Sequence, residues 1–183
     1  MLTWRQIQEL YAPDVVMFWE RAAAVGLECP LDVFEQLFFD HHDDADFAGV
    51  VRIIDWQAVH WEEADFSGVA LRRVSIPRPY RHAVDEARVR TAEDGIQDER
   101  PEVVEHWHSA LSWVRSPIFV SGEVTGTSVD AQCLVGFTRL GNLLGLLDRR
   151  GIPEAAHHRV WLARKSENPA PTTRLKSGRE LAL

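Results

Sequence analysis

The sequence predicts an α+β fold: a mixed sheet packed with helices, preceded by a helical N-terminal extension. Three observations predict it. Residues 1–45 place apolar side chains at helical spacing. From residue 50 on, short β-rich runs alternate with Gly, Pro and polar turn residues. Finally, "LVGFTRLGNLLGLLDRRGIPEAAHHRVWL" (134–162) reads as strand, leucine-striped helix and strand. The boundaries that follow are an extension over 1–48, a sheet domain over 49–165 and a polar tail over 166–183, which the composition predicts to be weakly packed or disordered. With 183 residues, 45% of them hydrophobic, the chain can bury a single sizeable core.

Taken in order, Thr3 suits the cap of a short helix that puts Trp4, Ile7, Leu10 and Tyr11 on one face. Pro13 suits the start of a second helix, with Gly26 as its stop. A third, "PLDVFEQLFFD", gathers Leu31, Phe34, Leu37 and Phe38, and these helices suit either a cap on the sheet or a partner-docking face. "GVVRIIDWQAVHW" and "SGVALRRVSI" read as strands separated by a turn at "EEADFSG", and Pro77 and Pro79 end any ladder. Pro101 opens a helix with Val104, Trp107 or His108, and Leu111 on its inner face. "PIFV" and "AQCLV" form a hairpin around "SGEVTGTSVD". The next helix carries Leu140, Leu143, Leu144 and Leu147 as a core stripe, Arg149 and Arg150 in its last turn and Gly151 as its close. Gly141 and Gly145, four apart, leave a bare strip for another backbone or a ligand. "HHRVWLARK" is the last strand.

The formal charge of −8 argues against general adhesion to DNA, yet "LRRVSIPRPYRHAVDEARVR" (71–90) holds six arginines against two acids. That segment suits phosphate contacts or an edge strand with a solvated, partly paired face. No apolar run approaches the ~20 residues of a membrane span. Two cysteines, Cys29 and Cys133, suit a reducing cytoplasm, and Cys133 in its apolar strand reads as a buried thiol. The seven tryptophans read as core filler rather than a base-stacking platform. "DHHDDAD" (40–46) reads as a solvated acidic loop, "HHR" (157–159) can turn only one histidine towards any site, and His106 and His108 suit a helix surface better than a general base.

The chemistry concentrates at Gly136, Phe137, Thr138 and Arg139. Glycine lets a strand turn sharply into a helix. The first amides of that helix then face outward, where its dipole favours an anion. Thr138 adds a hydroxyl and Arg139 a permanent, fork-shaped phosphate donor. The alternative is a plain strand–helix turn with Arg139 paired to an acid.

This G-x-x-R turn, preceded by "VSIPRPYR" and "EHWHSALSWVRSPIFV" and followed by "RRGIP" and a final strand, resembles the ParB/sulfiredoxin superfamily over residues 50–164. In that family the turn carries a nucleotide or another phosphate. Sulfiredoxins hold their reactive cysteine within it; Phe137 and Thr138 stand there here, which sets sulfinic-acid repair aside. Many members place an acid before the glycine, where this chain has Val135. Partition proteins follow this domain with a helix-turn-helix DNA reader, for which the residues after 165 are expected to be too few, which argues against centromere binding.

In size and segment order the chain is similar to the fertility-inhibition factors of conjugative plasmids. The resemblance implies an ATP-hydrolysing, DNA-cleaving protein that blocks passage of a rival plasmid's DNA through a type IV secretion system. Implied partners are a nucleotide, the transferred DNA and a conjugative coupling protein or secretion component. The implied location is cytoplasmic, peripheral at the inner membrane through a partner.

In that reading Arg139 and Thr138 act on the phosphoryl group, and Gly136 to Arg139 cradle the nucleotide. Arg78 and Arg81 reach a second phosphate or the DNA backbone. Magnesium or another divalent ion needs carboxylates, for which Glu102 and Glu105, three apart on one helix, are candidates, with Glu105 also a catalytic one; Glu123 lies in the hairpin loop. Two rivals are a non-catalytic module that docks on the transfer machinery through its helical N-terminus, and a small-molecule kinase of the same fold.

Overall fold

Thr3 opens the first helix, α1 (Trp4–Gln8), with a full capping box: its hydroxyl takes the Gln6 amide and the Gln6 side chain takes the Thr3 amide. The structure is a computed structural model and describes residues 1–96 and 100–167. Asp14, one residue past the expected proline, caps α2 (Val15–Ala24), and Gly26 at φ +89° stops it. The third helix is α3 (Leu31–Phe34), which widens into a π turn over Glu35–Phe39. Its neighbour departs from expectation. Asp44 caps a further helix, α4 (Ala45–Val51), so "DHHDDAD" is in part a helix start rather than a solvated loop. There His41 and His42 are half-buried against Phe47 and Tyr11.

Two expected strands are corrected. "GVVRIIDWQAVHW" is mostly helical: α4, then a 3₁₀ turn over Trp56–Ala58 capped by Asp55, and only its last residues enter β1 (Val59–Ser67). The expected turn "EEADFSG" is the body of that strand. In "SGVALRRVSI" Ser67 ends β1 and caps a single helical turn, α5 (Gly68–Leu71), after which strand pairing returns only at Ser75, bridged to Gln132. A 3₁₀ turn over Arg78–Tyr80 leads into α6 (Arg81–Asp94), so the arginine-rich segment is a loop and a helix rather than an edge strand. α7 (Pro101–Ala110) begins at its proline, buries Trp107 and ends at Leu111, which is exposed with φ 53° instead of facing inward.

The remaining elements follow the sequence. β2 (Ile118–Ser121) and β3 (Ala131–Val135) form the hairpin, whose loop contains one helical turn, α8 (Gly122–Thr125). Helix α9 (Phe137–Asp148) and β4 (His157–Lys165) complete the described chain. The left-handed residue that ends α9 is Arg150, φ 58°, so Gly151 follows the closure rather than making it. The predicted tail lies, from residue 168 on, outside the described residues.

Among the described residues the fold is α+β with a four-stranded mixed sheet ordered β1-β4-β2-β3. β4 pairs antiparallel with β1 and parallel with β2. Strand alternation feeds two cores. Ile118, Val120, Leu134 and Ala163 face the N-terminal helices, packing with Phe18, Phe34, Phe38, Phe47 and Trp56. Phe119, Cys133, Val160 and Leu162 face α9 and join Leu140, Leu143, Leu144 and Leu147. The bare strip is taken by backbone. A Cβ on Gly141 would lie 2.5 Å from the Val84 carbonyl, and one on Gly145 would lie 2.5 Å from that of Arg88, so α6 packs directly onto α9. No helix among the described residues is long and apolar enough to cross a membrane.

Candidate functional site at the β3–α9 turn

β3 delivers the chain to Gly136, which adopts φ +91° and starts α9 with no side chain capping it. Two contacts require glycine there. A Cβ would sit 2.7 Å from the Pro117 side chain and 3.0 Å from both Nε and Nη2 of Arg139. The guanidinium of Arg139 therefore lies back across the turn, towards the segment that enters β2.

Its partners are internal. Nη1 donates to the Arg115 carbonyl at 2.6 Å and Nη2 to Oε1 of Gln36 at 2.8 Å. Both acceptors are neutral, and they use two of the five N–H donors of an arginine. Burial, rather than a paired carboxylate, dominates its electrostatics and lowers the Arg139 pKa to about 10, which leaves it cationic at neutral pH.

Behind Arg139 stands an ionic cluster built on Asp32 of α3. The Asp32 carboxylate accepts Arg115 Nε at 2.6 Å, Trp161 Nε1 at 2.9 Å and Gln36 Nε2 at 3.2 Å. Arg115 also donates to Glu35 Oε2 at 2.5 Å, and Gln36 Nε2 to the Ser116 carbonyl at 3.3 Å. Sequence reasoning missed Gln36, Asp32 and Arg115. No local pattern marks them, because Gln36 and Arg139 are separated by 103 residues.

In front of the turn Phe137 is buried and Thr138 exposed. The Tyr80 ring stacks on Phe137, centroids 4.2 Å apart and planes within 8°. The Tyr80 hydroxyl donates to Asp44 Oδ2 at 3.1 Å. Burial, and then the charge of Asp44, push that hydroxyl well above the ordinary tyrosine range, so it remains a donor. Since Arg78 and Arg81 flank Tyr80, this stack brings the exposed arginine loop beside the turn; Arg81 Nε makes a long bond of 3.4 Å to the Ile76 carbonyl. Tyr80 is a fourth residue the sequence did not reveal.

Other candidates lie apart. Glu102 and Glu105 are exposed on α7 and Glu123 on α8, and no hydrogen bond or ion pair among the described residues joins them to the turn. Among the described residues no group of three His, Cys, Asp or Glu is gathered closely enough to hold a metal ion. Cys133 is fully buried, and burial pushes its thiol far above the usual range, so it is not a nucleophile at neutral pH. His157 faces solvent, while His158 points inward to Ser112 and Trp113. Of the α7 histidines, His106 is half-buried and His108 exposed.

No family model, no curated protein and no solved structure matches this chain.

Proposed function

We propose that the protein is a fertility-inhibition factor of a conjugative plasmid, resembling the ParB/sulfiredoxin-type oncogenic-suppression protein, and that it hydrolyses ATP and cleaves DNA at the Gly136–Arg139 turn. The observation that carries this reading is an uncapped helix start beside a half-buried guanidinium whose hydrogen bonds go to neutral acceptors. Charge of that kind favours a phosphoryl group. Three donors of Arg139, the first amides of α9 and the Thr138 hydroxyl are the groups to hold it, with Arg78 and Arg81 on the adjoining backbone phosphates. Magnesium supplies charge neutralisation in such chemistry. Since no three metal-ligating side chains gather among the described residues, the reading takes an ion that arrives on the nucleotide's own phosphates rather than one held by Glu102 and Glu105.

The test is magnesium-dependent phosphate release from ATP by the purified protein beside Arg139→Ala. Loss of this donor is expected to lower the rate about a hundredfold, the scale for removing one preorganised charge-stabilising group. Equal release from both proteins removes the enzymatic reading. A second reading then takes its place: a non-catalytic module whose helical N-terminus docks on a coupling protein or another transfer component. The inward bonds of Arg139 favour it, since they give that side chain a structural task.

A further inference from the structure

We infer that Gln36, on the π turn of the N-terminal layer, is a positioning residue that holds the Arg139 guanidinium at the β3–α9 turn without cancelling its charge; this rests on the phosphate-seat reading above. Gln36 is 2% exposed. Its amide nitrogen is committed to Asp32 Oδ2 and the Ser116 carbonyl, which leaves Oε1 facing Arg139 Nη2. The amide therefore has one workable orientation. A carboxylate in the same place would meet the guanidinium as a direct ion pair and neutralise it. The carboxylate nearest in the network, that of Asp32, is engaged instead by Arg115, Trp161 and Gln36 itself. The π turn supplies the register: α3 ends at Phe34, and the wider turn sets Gln36 inward between Asp32 and the chain entering β2. A residue outside the ParB/sulfiredoxin-like segment thus governs whether Arg139 meets an anion as a free charge.

The experiment uses the full chain, with pyrophosphate as the probe in thermal-shift titrations and phosphate release from ATP measured in parallel. Wild type, Gln36→Glu, Gln36→Met and Arg139→Ala are compared, each checked for folding by circular dichroism. Pyrophosphate is expected to raise the melting temperature of wild type, to leave Gln36→Glu and Arg139→Ala unmoved, and to bind Gln36→Met at least fivefold more weakly. If Gln36→Glu fails to fold beside Asp32, Gln36→Met decides alone. Equal binding by wild type and the folded Gln36 variants, tighter binding by Gln36→Met, or no shift in wild type overturns the role of Gln36. A wild-type shift without phosphate release overturns hydrolysis instead and leaves the positioning role standing on the binding data.

Discussion

The two faces of the sheet are built from different materials. The N-terminal face is rich in aromatics: Trp4, Phe34, Phe38, Phe47 and Trp56 meet edge-to-face, stacked or tilted, as in the Phe38–Trp56 pair at 4.9 Å and 76°. The α9 face centres on four leucines from one helix and a bare glycine strip pressed against α6, with Trp107, Trp113, Phe119 and Phe137 in the same core. Aromatic packing lets several short helices and a π turn share one core, because large rings bridge elements too brief to be stable alone. Packing on the other face depends on two long helices whose backbones nearly touch. The first face tolerates irregular backbone but not the loss of a ring. The second tolerates modest changes of volume but not an added atom between its helices.

The largest expected effect lies on the aromatic face. Phe38→Ala removes a fully buried ring that packs on Trp4, Phe34 and Trp56, and should cost about 3–5 kcal/mol in denaturant unfolding. A loss under 1 kcal/mol would mean that the N-terminal helices are not part of the cooperative core. Next comes the helix pair. Gly141→Ala gains about 1 kcal/mol of helix propensity. Its methyl group, however, would press to within 2.5 Å of the Val84 carbonyl, for a net loss of about 1–3 kcal/mol by the same measurement. A stabilised variant would show that α6 can slide off α9. The smallest effect tests the α9 face through His158, which is 2% exposed, bonded to Ser112 and without a partner on Nε2. Burial, and then His157, lower its pKa below the ordinary 6.5. The unfolded chain therefore binds the proton more readily, and this contribution to stability shrinks as pH falls through 6.5 towards the lowered value. Melting temperatures at several pH values should show that slope, and His158→Gln should flatten it.

The difference between the faces also explains what was legible in the sequence. Leu140, Leu143, Leu144 and Leu147 announce α9 because one long helix writes its full period. The 50–75 stretch misled because "GVVRII" and "GVAL" are apolar runs too short to separate strand from helix by period alone. The deciding signals were caps, Asp44, Asp55 and Ser67, each two or three residues ahead of the amide it holds. At the turn, glycine and the helix start were readable locally. The direction of Arg139 was not, since it depends on Gln36 and on a carbonyl at Arg115 that only tertiary structure brings near.

The place of β4 has a consequence for how the molecule is made. The last strand described is an inner one, and its antiparallel neighbour joins Val59 to Lys165. A ribosome must therefore release most of the chain before the sheet can close, and pairings of such long sequence separation form slowly. Until then the rings of the N-terminal layer have no floor to rest on. Newly made copies should therefore depend on chaperones during synthesis far more than the finished protein does afterwards.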